Sequence, residues 1–391
     1  MWPSLLNNIR MNVGEQSLAL HKKYGGKIGI APKMEVNTKA DLGLVYTPGV
    51  GHVCSEIAEH PELVHALTLK KNTIAVISDG SAVLGLGNIG PHAAIPVMEG
   101  KALLFKKMAG LDAFPICIDT QDTEELIRTI ENIAPVFGGI NLEDISAPRC
   151  FEIERRLRER LSIPVVHDDQ HGTAVVVLAG LINALQLRGA DIVDAHIVIN
   201  GAGAAGTSVA ELLHAAGAKH LLMLDSQGIL HAGREDLNEE KKALLRFTNR
   251  EGKQGNLRDA LRGADVFIGV SKGNLLTRED IATMQKNPLV FALANPIPEI
   301  LPEEAKAGGA FITATGRSDF PNQMNNALVF PGLFLGALTH GIRLVTEEHF
   351  LVVAKALASY VTTPDRDHIL PDVLDGGVAA HVAAAMGTTL N

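Results

Sequence analysis

Residues 196–206 read His-Ile-Val-Ile-Asn-Gly-Ala-Gly-Ala-Ala-Gly, a short β-branched run that enters a glycine-rich turn. Residues 207–216 behind it have helix-forming composition, so the order is strand, G-x-G-x-x-G, helix. In that context Gly201 allows the tight turn, Gly203 lets a pyrophosphate approach the backbone, and Gly206 lets helix and strand pack closely. Ala202, Ala204 and Ala205 fill the remaining positions, and the helix N-terminus supplies amides and a positive dipole to the phosphates. Asp225 ends the next predicted strand, at roughly the 20-residue spacing from which an acid bonds the adenosine ribose. An ionised Asp there favours NAD over NADP, a preference that Lys219 or Lys241 could offset.

Outward from this turn the chain keeps alternating. Residues 221–225, 266–270, 290–294 and 311–313 are candidate strands separated by helical stretches, which implies a doubly wound parallel sheet. Towards the N-terminus, residues 73–78, 114–118 and 137–145 and the run starting at Ile163 read as strands, with helices at 96–109, 123–133 and 150–161. The expected fold class is α/β. Residues 1–162 form an N-terminal α/β domain, followed by a Rossmann-type dinucleotide-binding domain with C-terminal helices over 163–391. Two domains also suit a chain of 391 residues, which exceeds the size at which one core keeps growing.

The composition is 46% hydrophobic and 20% charged, with 38 Gly, as in a soluble globular protein rich in turns. A net charge of −9 speaks against a broad nucleic-acid or membrane footprint and leaves a small-molecule partner. Cys54, Cys117 and Cys150 are widely spaced and read as reduced, buried thiols. Residues 1–10 lack a basic segment leading into a long apolar one, so a cytoplasmic location is expected. The apolar stretch 173–187 is broken by Gly180, Asn183 and Gln186 and reads as a buried helix rather than a membrane span.

Two acid pairs stand where predicted strands end. Glu143 and Asp144 close one, Asp168 and Asp169 the next, and a right-handed crossover would bring both pairs to one edge of the sheet. Adjacent carboxylates in an apolar neighbourhood repel and lose hydration, so they call for a cation, a shared proton or solvent. An oxygen-only set suits Mg²⁺ or Mn²⁺. Each pair alone would also serve as an ordinary helix N-terminus. His167 and His171, four residues apart, could suggest zinc and a hydrolase, but Asp168 stands where H-E-x-x-H needs Glu, so both are expected to be satisfied or to support ligands. A hard metal beside a nicotinamide site points to decarboxylation, in which the metal polarises a 2-hydroxy acid and then holds the enolate left by CO₂. Tyr46 and Lys101, flanked by small or rigid residues, are candidates for the acid and base such chemistry needs.

Several segments together resemble the malic enzyme family in its short bacterial form. They are residues 46–50 (Tyr-Thr-Pro-Gly-Val), 78–87 (Ser-Asp-Gly-Ser-Ala-Val-Leu-Gly-Leu-Gly), 98–101 (Met-Glu-Gly-Lys), 141–145 (Asn-Leu-Glu-Asp-Ile), 167–174 (His-Asp-Asp-Gln-His-Gly-Thr-Ala), 294–296 (Ala-Asn-Pro) and 324–328 (Met-Asn-Asn-Ala-Leu). The resemblance implies oxidative decarboxylation of (S)-malate to pyruvate and CO₂ with NAD or NADP and Mg²⁺ or Mn²⁺, in a homodimer. It implies Lys101 as general base, Tyr46 as general acid, and Glu143, Asp144 and Asp169 as metal ligands with Asp168 beside them. Asn295 and Asn326 match residues that contact substrate or nicotinamide. The larger eukaryotic members carry an arginine in the segment equivalent to 79–87, where this sequence has Ser81, which leaves the second malate carboxylate without an assigned partner. Oxaloacetate decarboxylation and a malolactic reaction without net cofactor reduction would use the same site. Outside the family, the rivals are a zinc hydrolase and a catalytically silent nucleotide-binding protein.

Overall fold

The computed structural model describes residues 12–390. The N-terminal stretch on which the expected location rests lies outside them.

Two parallel sheets carry the chain. In the first, β1 (Thr73–Ser78), β2 (Asp112–Cys117), β3 (Gly139–Leu142) and β4 (Val165–His167) lie in the order β2-β1-β3-β4. In the second, β5 (His196–Asn200), β6 (His220–Asp225), β7 (Gly228–Ile229), β8 (Val266–Gly269), β9 (Leu289–Ala292) and β10 (Ile312–Thr315) lie in the order β10-β9-β8-β5-β6-β7. All pairs are parallel except β6 with β7. The chain winds from β5 to one side and returns at β8 to the other, which opens a crevice at the C-terminal ends of these two strands. The first sheet runs a few residues past the expected boundary at residue 162, since β4 pairs with β3 and ends at His167.

Alternation along β1 sets the layers. Ala75 and Ile77 face a cluster with the helices Thr123–Ile133 and Arg149–Arg160. Ile74 and Val76 face the helix Gly90–Ala109 and join a larger cluster that continues through the helix Asp168–Arg188 into the second sheet. This buried helix contains the long apolar stretch of the sequence, as expected. The helix Phe330–His340 closes the seam, with Phe334 edge-on to Phe105 at 5.6 Å and against the backbone of Gly139. Each of these phenylalanines contributes about 1.5–3 kcal/mol by burial.

Residues 12–72 are different. No residue there is buried, and Leu18, Ile30, Met34, Leu42, Leu44 and Tyr46 are all exposed. The cysteines are all free, but Cys54 is exposed, contrary to expectation, because it lies on the helix Val50–Glu59 of this segment. Burial pushes the Cys117 and Cys150 thiols up, to about 11 and about 12.

Candidate active site

The C-terminal ends of both sheets face one cleft of about 680 Å³. Adjacent parallel strands β3 and β4 deliver the two acid pairs to it. One oxygen each from Glu143, Asp144 and Asp169 lies within 4.8 Å of the others. Asn141 donates to Glu143 at 2.8 Å, and the Asp144 amide donates to Asp169 at 2.8 Å, so the oxygens are held by the strand ends themselves. Asp144 adopts φ 54°, a left-handed conformation that costs a non-glycine residue energy and turns its carboxylate towards the cleft. One of its oxygens, Oδ2, is buried without a hydrogen-bond partner.

Asp168 faces another way. Its Oδ2 accepts from Lys101, which also lies 3.1 Å from Glu143, 3.5 Å from the Asn326 carbonyl oxygen and 5.2 Å from the centre of the Phe330 ring. Burial pulls against the charge of Lys101, but the carboxylates of Asp168 and Glu143 outweigh it and hold the ammonium above its ordinary range. Burial likewise pushes Asp168 and Glu143 upward, and it combines with Asp169 and Glu143 to raise Asp144 to about 8. A buried set of three acids with an orphaned oxygen fits a hard divalent cation held by Glu143, Asp144 and Asp169.

His171 is satisfied: its Nε2 lies 2.9 Å from Glu154, and its ring stacks on Phe350. His167 is not satisfied, as both ring nitrogens are buried without partners, and burial lowers it to about 4. Glu154, which the sequence reading missed, also accepts from the His167 amide at 3.0 Å and so fixes the start of the helix carrying Asp168 and Asp169. It sits mid-helix in a charged run, and only its complete burial among arginines would have marked it. The cleft also takes in Lys27, a second missed residue.

Ala205, Val270 and Ser271 line the opposite wall, with Asn295 beside them. The fingerprint is real in three dimensions: a Cβ on Gly206 would lie 1.7 Å from the Gly201 carbonyl oxygen, and Gly201 adopts φ 126°. Asp225 ends β6, but Arg234 binds both its oxygens at 2.8 and 2.9 Å and Lys241 approaches to 2.6 Å. Lys219 lies elsewhere, at the other end of the sheet.

One expectation changes, and the position left open at Ser81 is filled in. Tyr46 is 64% exposed and does not line the cleft, so one chain does not bring it to Lys101. Ser81 is turned away, donating to Asp79 and accepting from Arg149 at 3.0 Å, and it is Ala82 that lines the cleft.

With both sites in one cleft, the comparison with known proteins is decisive: the model of the malic enzyme N-terminal domain matches residues 25–158, and that of its NAD binding domain matches residues 170–390. The chain belongs to the malic enzyme family. This family member is 52% identical to the NAD-dependent malic enzyme of Geobacillus stearothermophilus over 378 residues, 96% of this chain and 78% of that one. It is 49% identical to the bifunctional malic/malolactic enzyme of Bacillus subtilis over 96% of this chain and 92% of that one. The crystal structure of the NAD-dependent malic enzyme from Thermotoga maritima superposes with a TM-score of 0.92 at 48% identity, covering 95% of this chain and 98% of that one.

Proposed function

We infer that this chain is an oxidoreductase that converts malate to pyruvate and CO₂ with reduction of NAD. The observation that carries the reading is the meeting of the carboxylate set, Lys101 and the dinucleotide turn in one cleft. Glu143, Asp144 and Asp169 would hold a divalent cation, which would supply Lewis acidity at the substrate and a positive charge to offset the carboxylate field on Lys101. The Gly201–Gly206 turn would hold the pyrophosphate of a dinucleotide, with Asn295 beside its nicotinamide, and the bound group would supply the hydride acceptor.

Lys101 is the group placed to take the hydroxyl proton once a cation's charge offsets the carboxylates around it, and Asp168 holds its Nζ in position. Asn326 orients the substrate without adding charge. For the second carboxylate we assign Lys27, which stands beside Gly100 in the cleft with its Nζ donating to the Pro96 carbonyl. Lys27→Ala then raises the malate KM about tenfold or more, the size of a charged hydrogen bond, with less change in kcat.

A homodimer accounts for the uncovered apolar surface of residues 12–72. In it, Tyr46 of a second copy protonates the enolate, since Tyr46 of the same chain is outside the cleft. Mixing Lys101→Ala with Tyr46→Phe chains tests this. Shared sites restore about a quarter of the activity through hybrid dimers, and no recovery would place both residues in one chain.

Because Arg234 and Lys241 compensate Asp225, NADP is accepted as well as NAD. A spectrophotometric assay with malate, each nucleotide, and Mn²⁺ or a chelator tests the main reading. The expected result is metal-dependent formation of reduced cofactor. The bifunctional relative gives weight to a malolactic side reaction, which would show as lactate without net reduction.

A further inference from the structure

The edge of the second sheet opposite the dinucleotide turn carries another group of metal-type donors. His196 and His220 begin β5 and β6 and are direct register partners. Their rings stack with centroids 4.5 Å apart. One ligand atom from each lies within 4.8 Å of the other and of a Glu251 oxygen. We propose that His196, His220 and Glu251 form a second cation site, selective for a zinc-class ion over the hard cation of the carboxylate cleft.

Three features support this. The donors are two imidazoles and one carboxylate, a set that prefers Zn²⁺ or Co²⁺ to Mg²⁺. Asp265 stands 3.5 Å from His196 Nδ1 and is itself fixed by Arg188 and by the His196 amide. A carboxylate beside Nδ1 favours the ring proton there and Nε2 as the donor to an ion, the supporting arrangement of many histidine ligands. Glu251 is carried on a short turn that the Asn249 amide ties to the Leu221 carbonyl at 2.8 Å, so it faces the start of β6 without ordering a loop.

The surroundings set the conditions for binding. Lys253 holds Glu251 at 3.0 Å and must be displaced by the ion. Lys219, Arg250 and Arg262 also border the adjoining cavity of about 270 Å³. That rim favours an anion or hydroxide as the remaining ligand, and the cavity gives it room. An ion there would tie β5, β6 and the Glu251 turn together at the end of the sheet remote from the cleft.

The test is calorimetric titration of the full chain with Zn²⁺ in saturating Mg²⁺, which keeps the carboxylate cleft filled. The wild type takes up a zinc equivalent that His196→Ala/His220→Ala lacks, while Mg²⁺-supported malate turnover is the same in both. Asp265→Asn weakens that equivalent about 10–100-fold. Glu251→Gln, on an exposed turn, weakens it too and keeps the test decisive if the double variant folds poorly. Co²⁺ in place of zinc gives the intense visible bands of a low-coordinate nitrogen site, which Asp169→Ala retains. Equal zinc uptake by the wild type, the double variant and Glu251→Gln would overturn the proposal.

Discussion

The strand-to-helix junctions at Asp168 and Gly201 both follow the C-terminal end of a parallel strand, yet they are built by opposite means. At the first, side chains do the work: four carboxylates and Lys101 are crowded together at the wall of the cleft, and each perturbs the others. At the second, side chains are withheld, so that the backbone of residues 201–206 comes close to itself and to a ligand. The first junction is therefore sensitive to deletion of charge, and the second to addition of atoms.

The contrast is broken most directly by removing one acid. Asp169→Ala should lower metal-dependent malate turnover on the order of 10²–10³-fold, while NAD binding by calorimetry stays within about twofold of wild type, the two junctions lying on different loops. A parallel loss of NAD affinity would mean that they are one unit. The reciprocal variant adds atoms. In Gly206→Val the new side chain meets the Gly201 carbonyl, whose oxygen is 1.7 Å from the Cβ position. NAD affinity should fall about a hundredfold, near 2.7 kcal/mol, with Mn²⁺ binding, followed by paramagnetic resonance, unchanged.

A smaller effect sharpens the second junction. Lys241→Ala leaves Asp225 with Arg234 alone, so kcat/KM for NADP should fall about tenfold more than for NAD, the range of one exposed charge contact near a phosphate. Equal losses would remove Lys241 from nucleotide discrimination. The smallest effect concerns acid stability. Partial burial works against ionisation of Asp225, but the hydrogen bonds from Arg234 and Lys241 overcome it and hold the carboxyl at about 2. Its unfolded value is near 3.9. The depressed group therefore stabilises the fold above about pH 4, and this contribution is lost as pH falls towards 2. Urea midpoints for wild type and Asp225→Asn should differ at pH 7 and converge in acid.

The strands were legible because their β-branched runs end in glycines or acids, and β1, β5 and the helix Thr123–Ile133 fall where the periodicity puts them. The pairing of Glu143-Asp144 with Asp168-Asp169 was legible for the same reason, since crossover handedness leaves one arrangement. What differed or stayed open depends on contacts that no local pattern encodes. Tyr46 sits in a motif, but a motif does not fix how far its side chain lies from Lys101. The Ser81 hydroxyl is drawn away by Asp79 and by Arg149, distant in sequence. Glu154 acts through the His167 amide and the His171 ring, both beyond its own helix.

The helix Phe330–His340, made late in synthesis, covers the inner face of the first sheet, made early. During translation at roughly 5–20 residues per second, Phe105 and the start of β3 at Gly139 must wait, for many seconds, for the Phe334 that covers them. A nascent or truncated chain ending before Phe330 thus presents an apolar sheet face to the cell, so release of a folded product is tied to completion of the C-terminus.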